Sequence, residues 1–157
     1  MKITDLIPKK AILADLKGKD KKSVIQELVQ AAKKAHEGEK FSVPEIVEAI
    51  VAREKVGSTG LGGGVGIPHA KLPEVNGVVG AFGRVLPGID FAAVDGEPVQ
   101  LVFLVLAPPS KNEQYLAALQ KVMSALKRPN FTKFLRSAKA VKDIEEIFRE
   151  VEEPAPV

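Results

Sequence analysis

The segment that most constrains the fold is PVQLVFLVLAP, residues 98–108, in which nearly every side chain is apolar. A strand with one face in water would alternate apolar and polar residues, and this segment does not. An uninterrupted apolar strand is typical of the centre of a sheet that is covered on both faces. The run is too short for a membrane span, which needs roughly 18 or more apolar residues. We therefore expect a central strand between two layers of helices.

Amphipathic patterns on both sides of this segment predict those helices. Apolar residues recur at helical spacing between Asp20 and Gly38, and Ser42 begins a second helix with a capping box. Residues 77–86 predict another strand. Three further helical patterns follow the central strand, at residues 112–127, 131–138 and 141–151. This order predicts an α/β fold, with a mixed β-sheet sandwiched by helices on both faces.

The composition is that of one globular domain. The chain has 157 residues, of which 45% are hydrophobic and 27% are charged, and these values suit a single folded unit with its own core. We expect this domain to occupy residues 1–150. The sequence EEPAPV at the end predicts a flexible C-terminal tail over residues 151–157.

Charge and composition argue against several function classes. The net charge of +3 is spread along the chain and only 5% of the residues are aromatic, so we expect no nucleic-acid interface. There is no cysteine and there are only two histidines, which leaves a zinc site short of ligands. We expect neither a metal nor a cofactor. The charged N-terminal residues do not resemble a secretory signal, so we expect a cytoplasmic protein without membrane insertion.

The segment VGSTGLGGGVGIPHAK, residues 56–71, contains six glycines. Neither the Walker pattern nor G-x-G-x-x-G fits it, which argues against a nucleotide site. Glycines that only allow the backbone to bend are the simpler interpretation. Close approach of backbone N–H groups to an anion would also explain them, and Arg53, Ser58 and Thr59 supply further donors. We expect a loop, a short strand and a turn here, with a candidate anion site.

His69 lies at the end of this segment, and the residues alone leave its role open. An isolated histidine is more often packed in a core or exposed at the surface than reactive. A Ser-His-Asp triad has no support, because a G-x-S-x-G elbow is absent. A neutral imidazole beside anion donors can instead accept a phosphoryl group. The second histidine, His36, lies near a helix C-terminus, where we expect a partly charged ring to interact favourably with the helix dipole.

The run AREKVGSTGLGGGVGIPHAK, residues 52–71, resembles the active-site signature of the enzyme IIA domains of the bacterial phosphoenolpyruvate-dependent phosphotransferase system (PTS). The resemblance is to the fructose/mannitol class (EIIA type 2), and especially to its nitrogen-regulatory type. The matching positions are Arg53, Glu54, Gly57, Ser58, Thr59, Gly60, Gly62, Gly64, Pro68, His69 and Lys71. Residues 82–108 also resemble the family's I-x-F-x-A-x-D-x-x-P-V region. The resemblance covers residues 2–150 and implies the fold of that class.

This resemblance implies roles for a few residues of the signature. It implies that His69 is the phosphoacceptor, modified on Nε2, and that phosphorylated HPr or its nitrogen-branch paralogue is the donor. Arg53 is similar to the family arginine that neutralises the phosphoryl group. Ser58, Thr59 and Gly60 lie where the family lines its phosphate pocket.

One position departs from the family pattern. The family usually has a second histidine early in the helix that follows the long strand, and Tyr115 occupies that position in YLAALQKV. A phenol can hydrogen-bond a phosphate oxygen, but it carries no positive charge at neutral pH. We expect Tyr115 either to line the phosphate pocket or to pack at the start of its helix. In either case we expect altered exchange rather than loss of His69 phosphorylation.

The resemblance implies a histidine phosphocarrier that acts mainly by regulating a partner such as a kinase or a transporter. A second interpretation is a sugar-specific enzyme IIA that passes phosphate to enzyme IIB of a separate fructose- or mannitol-type permease. A third is a binding module with the same fold that is not phosphorylated.

Overall fold

A six-stranded mixed sheet forms the centre of the protein. The computed structural model describes residues 1–152. The strands are β1 (Ile12–Leu13), β2 (Gly60–Gly62), β3 (Val65–Gly66), β4 (His69–Lys71), β5 (Val79–Ile89) and β6 (Val99–Ala107). Their order is β1-β5-β6-β3-β2, and β4 also pairs with β6. The β1–β5, β3–β6 and β4–β6 pairs are parallel, whereas β2–β3 and β5–β6 are antiparallel.

Six helices flank this sheet within the described residues. They are α1 (Ile3–Leu6), α2 (Lys21–Ala35), α3 (Val43–Val56), α4 (Asn112–Leu126), α5 (Phe131–Ser137) and α6 (Val141–Glu152). The side chain of Asp20 caps α2 by accepting a hydrogen bond from the Ser23 N–H at 2.8 Å. Ser42 caps α3 in the same way, at a longer 3.5 Å. No helix in residues 1–152 is long and apolar enough to cross a membrane.

The two faces of β6 are both covered, as its apolar sequence predicts. Residues 101–107 are fully buried. On one face, Phe103 contacts Phe82 of β5, and both rings pack against Phe148 of α6. On the opposite face, α2 packs against β5 and β6 and is itself covered by α3. The predicted fold class, a mixed sheet between helices, is therefore confirmed.

The structure differs from the predictions in the shorter elements and at three boundaries. Helix α1 and strand β1 were not predicted, because four and two residues are too few to show a periodic pattern. Strand β5 begins at Val79 and ends at Ile89, so it lies two to three residues later than predicted. Helix α6 continues to Glu152, two residues into the predicted tail. The rest of that tail, residues 153–157, lies outside the described residues.

We expect Phe82→Ala to lower the free energy of unfolding by about 3–5 kcal/mol, because it leaves a cavity in the aromatic cluster. The control is Phe134→Ala on α5, where the side chain is 49% exposed and the expected loss is about 1 kcal/mol. Urea denaturation followed by circular dichroism measures both values. Equal losses would show that the Phe82 cluster is not the main core.

Candidate functional site

His69 is the first residue of β4, at the edge of β6. Its Cα lies opposite Val105, and the Pro68 carbonyl accepts a hydrogen bond from the Val105 N–H at 3.1 Å. Pro68 is buried, whereas His69 is partly exposed. The parallel pairing therefore fixes the backbone of the histidine and leaves its ring accessible at the surface.

A short hydrogen bond selects the tautomer of the His69 ring. Nδ1 lies 2.6 Å from the carbonyl oxygen of Ile67. A carbonyl oxygen can only accept a hydrogen bond, so Nδ1 must carry the proton. In the neutral imidazole the remaining nitrogen, Nε2, then holds a free lone pair. Nε2 can therefore act as a nucleophile, and the hydrogen bond at Nδ1 fixes the direction of its lone pair.

Arg53 lies in the last turn of α3, and its side chain is exposed. Its Nη1 donates a hydrogen bond to the Gly57 carbonyl at 2.8 Å, at the C-terminal end of the helix. Within residues 1–152 the guanidinium has no acidic partner. Its positive charge also acts on Tyr115, where it favours the ionised phenol. The structure therefore places a cation that has no carboxylate partner near the first turn of α4.

Tyr115, in the first turn of α4, lies beside the histidine. The two ring centroids are 6.2 Å apart, and the Tyr115 side chain is buried. Burial raises the pKa of Tyr115 to about 12, although the charge of Arg53 opposes this rise. Lys71 Nζ lies 5.8 Å from the centroid of the tyrosine ring and donates a hydrogen bond to Asn112 Oδ1 at 2.7 Å. His69 thus has an uncharged phenol as its aromatic neighbour.

The predicted pocket residues Ser58, Thr59 and Gly60 are close in sequence, but their polar groups are already engaged. The Ser58 hydroxyl donates to the Phe91 carbonyl at 2.6 Å and accepts from the Gly60 N–H at 3.0 Å. The Thr59 hydroxyl donates to the Glu54 carboxylate. A Cβ on Gly60 would lie 2.8 Å from the Cα of Ala93, so close backbone packing requires glycine there. Both hydroxyls expected as anion donors are therefore hydrogen-bonded within the fold, and their place in a phosphate pocket stays a prediction.

The next three glycines form the tip of a hairpin between β2 and β3. Gly62, Gly63 and Gly64 all have positive φ, at 96°, 65° and 80°, which only glycine adopts readily. Asp95 accepts a hydrogen bond from the Gly63 N–H at 3.1 Å, and Arg136 donates one to the Gly63 carbonyl. The expected loop and short strand are therefore a hairpin held at its tip by side chains from elsewhere in the fold.

Glu54 is a central residue of this region to which the sequence patterns assigned no role. It is 7% exposed, and its carboxylate accepts hydrogen bonds from both the N–H and the hydroxyl of Thr59. Lys21 Nζ lies 3.9 Å from the same carboxylate. One signal was available in the sequence. A carboxylate in the last turn of a helix opposes the helix dipole, so it calls for a compensating partner.

The second histidine has a structural environment. His36 follows α2 directly, and its Nε2 lies 3.3 Å from the Gly80 carbonyl of β5. Burial lowers the pKa of His36. The expectation of a partly charged ring interacting with the helix dipole is therefore wrong, because burial favours the neutral form.

Comparison with protein families decides what kind of protein this is. The family described as "Phosphoenolpyruvate-dependent sugar phosphotransferase system, EIIA 2" matches residues 5–151. The chain belongs to this family. The resemblance seen in residues 52–71 is thereby confirmed and extends over residues 5–151 of this chain.

Some relatives of this EIIA 2 domain are named nitrogen regulatory proteins, and others are named fructose-specific PTS components. A nitrogen regulatory protein of Bradyrhizobium diazoefficiens is 41% identical over 144 residues, which are 92% of each chain. The fructose-specific EIIABC component of Bacillus subtilis is 37% identical over 96% of this chain but only 23% of its own length. The crystal structure of nitrogen regulatory protein IIA-Ntr from Neisseria meningitidis has a TM-score of 0.83 at 30% identity, and it covers 93% of this chain and 98% of its own.

Tyr115 is the only tyrosine and the chain has no tryptophan, so tyrosinate absorbance reports this site alone. We expect a midpoint at about pH 12. An unfolded tyrosine ionises near pH 10. Between about pH 10 and about pH 12, Tyr115 therefore keeps its phenolic proton in the folded chain and loses it in the unfolded chain. The free energy of unfolding therefore falls as the pH rises through this interval.

The same titration tests whether Arg53 is close to Tyr115. Because the arginine charge favours the phenolate, Arg53→Gln should move the Tyr115 midpoint upward. Lys55→Gln is the matched control, since it removes an exposed charge from the same helical turn. Parallel circular dichroism confines the comparison to the pH range in which the chain stays folded. A midpoint equally unchanged in both variants would contradict the proximity.

Proposed function

We propose that this EIIA 2 protein is a phosphocarrier that accepts a phosphoryl group on Nε2 of His69 from an HPr-type donor, and that it acts mainly as a regulatory protein. The observation that carries the proposal is the 2.6 Å hydrogen bond between Nδ1 and the Ile67 carbonyl, which leaves Nε2 as the unprotonated ring nitrogen. Membership of the EIIA 2 family and relatives named nitrogen regulatory protein support it.

The transfer balances as a simple displacement at phosphorus. The Nε2 lone pair forms the new P–N bond while the bond between phosphorus and the donor breaks and returns its electron pair to the donor. The added negative charge needs nearby positive charge. Arg53 and Lys71 supply it, Arg53 from the end of α3 and Lys71 from β4 itself.

Tyr115 acts in this proposal as an uncharged neighbour of the phosphoryl group. Its high pKa keeps the hydroxyl protonated, so it remains a hydrogen-bond donor across the neutral range. A second histidine would add positive charge when protonated, and a phenol does not. We therefore propose that phosphotransfer still occurs here, with exchange kinetics that differ from those of relatives with two histidines.

The proposed partners are a donor of the HPr type and a regulated protein such as a kinase or a transporter, and we place the chain in the cytoplasm with them. One observation favours a second candidate function. The Bacillus subtilis relative is named a fructose-specific EIIABC component, which suggests an enzyme IIA that passes phosphate to enzyme IIB of a permease in trans. Phosphate transfer from the labelled chain to a fructose- or mannitol-type IIB would favour this second function.

Labelling with radioactive phosphoenolpyruvate, enzyme I and HPr tests the phosphoacceptor. We expect acid-labile phosphate on the wild-type chain and none on His69→Gln. The chain has only two histidines, so His36→Gln is the matched control and should keep its label. An unlabelled wild type would favour the binding module that is not phosphorylated. Label that survives in His69→Gln would refute the assignment of the acceptor.

Arg53→Ala tests the proposed neutralisation of the phosphoryl group. We expect the equilibrium constant for transfer from the donor to fall roughly ten- to a hundredfold, because a charge-assisted hydrogen bond contributes about 1.5–3 kcal/mol. The fold should be retained, since Arg53 is exposed at the end of a helix. Lys55→Ala, in the same turn, should leave the equilibrium within about twofold of wild type. Unchanged transfer in Arg53→Ala would contradict its role.

A further inference from the structure

A continuous path of hydrogen bonds runs from the buried carboxylate of Glu54 to the ring of His69. Glu54 accepts from the Thr59 N–H at 2.9 Å. The Thr59 carbonyl accepts from the Ile67 N–H at 3.1 Å, and the Ile67 carbonyl faces His69 Nδ1 at 2.6 Å. The first two links have ordinary hydrogen-bond distances, and the last, at the ring, is short. The path therefore joins the end of α3 to the proposed reactive ring across the β2–β3 hairpin.

At the Glu54 end of this path, the carboxylate has contacts besides the Thr59 N–H. The carboxylate also accepts from the Thr59 hydroxyl, and Lys21 of α2 lies 3.9 Å away. The Lys21 ammonium in turn lies 4.4 Å from the centroid of the Phe91 ring. Burying a carboxylate is costly unless it is paired and hydrogen-bonded. These contacts offset that cost and hold the N–H and the hydroxyl of Thr59 in place on either side of its Cα.

The orientation of Thr59 matters because its carbonyl fixes the next peptide along the path. The Ile67 N–H is bound to that carbonyl, so the position of residue 67 relative to β2 depends on it. The Ile67 carbonyl is the group that places the proton on Nδ1 of His69. If Thr59 rotated, the Ile67 carbonyl would move away from the ring, and the neutral ring could then adopt the opposite tautomer.

We propose that Glu54 is a positioning residue for His69: through Thr59 and Ile67 it holds the imidazole in the Nδ1–H tautomer with Nε2 unprotonated. Glu54 touches no reacting atom in this scheme. The consequence for phosphotransfer depends on the function proposed above, whereas the effect on the tautomer does not. A purely stabilising role for Glu54 would lower the free energy of unfolding and leave the ring unchanged.

Long-range proton–nitrogen NMR spectra of ¹⁵N-histidine protein distinguish the two tautomers, because protonated and bare ring nitrogens resonate far apart. We expect the Nδ1–H form of His69 in the wild type. In Glu54→Ala we expect Nε2–H, the tautomer that free histidine prefers, to become the major form. The signals of His36 provide an internal control and should not change, because its ring contacts β5 instead.

Glu54→Gln and Glu27→Ala are the matched comparison variants. Glutamine keeps an acceptor for the Thr59 N–H, so Glu54→Gln should restore most of the Nδ1–H form. Glu27 is another helical carboxylate that binds a loop, accepting from the N–H groups of Lys17 at 2.9 Å and Gly18 at 2.8 Å. Glu27→Ala should lower stability without altering His69. A His69 tautomer unchanged in folded Glu54→Ala, or altered equally in Glu27→Ala, would overturn the proposal.

Phosphorylation kinetics give a second readout. At saturating HPr we expect the rate for Glu54→Ala to fall roughly ten- to a hundredfold with an unchanged KM for the donor, because misplacing a reacting group by about 1 Å costs up to about a hundredfold. Glu54→Gln should be several times faster than Glu54→Ala. A change confined to KM, or a Glu54→Gln variant as slow as Glu54→Ala, would contradict positioning through hydrogen bonds.

The design also covers two further cases, a Glu54→Ala variant that does not fold and a wild-type chain that is not phosphorylated. If Glu54→Ala does not fold, Thr59→Val removes only the hydroxyl contact and tests the same path. It should shift the His69 tautomer in the same direction by a smaller amount, and an unchanged ring would overturn the proposal. If the wild-type chain takes up no phosphate at all, the proposed function fails, yet the NMR comparison still decides whether Glu54 sets the tautomer.

Discussion

Burial of β6 on both faces is the constraint on which the remaining structure depends. Because residues 101–107 have no contact with water, every backbone group of β6 needs a partner within the sheet. Strand β5 satisfies one edge. The other edge is shared by β3 and β4, two strands of two and three residues that are too short to be stable alone. Their pairing with β6 places His69 at the edge of the sheet, between the end of α3 and the start of α4.

Buried charged side chains fix how the helices and strands around this sheet are placed relative to one another. Glu54 is paired with Lys21 and bound to Thr59, and in this way it ties α2, α3 and the hairpin together. Arg84 is buried as well, and it donates to the carbonyls of Ala14 and Leu135, which joins β5 to the end of α5. A buried charge tolerates little displacement, because each lost hydrogen bond leaves a costly unpaired group. Such contacts suit a site whose chemistry depends on the direction of one ring nitrogen.

The electrostatic environment of His69 is asymmetric. Arg53 and Lys71 lie near Tyr115 and are the cations proposed to act on a phosphoryl group, whereas Tyr115 itself stays neutral because burial raises its pKa to about 12. A second histidine at the position of Tyr115 could carry positive charge when protonated, whereas a phenol cannot. In the proposed function, the positive charge near a phosphoryl group on His69 therefore comes from an arginine and a lysine rather than from a second histidine.

The sequence by itself determined the layered α/β fold and the main helices and strands, since the apolar run of β6, the caps at Asp20 and Ser42 and the helical periods are local patterns. Through the signature in residues 52–71 it also selected Arg53 and His69, and the departure from the family pattern at the start of α4 selected Tyr115. Only the tertiary structure decided which groups form hydrogen bonds with the residues around them. The hydroxyls of Ser58 and Thr59, predicted as donors to an anion, are hydrogen-bonded to the Phe91 carbonyl and the Glu54 carboxylate. The tautomer of His69 depends on Ile67, whose orientation is fixed through Thr59. Hydrogen bonds between residues distant in sequence depend on folded geometry, which no local pattern encodes.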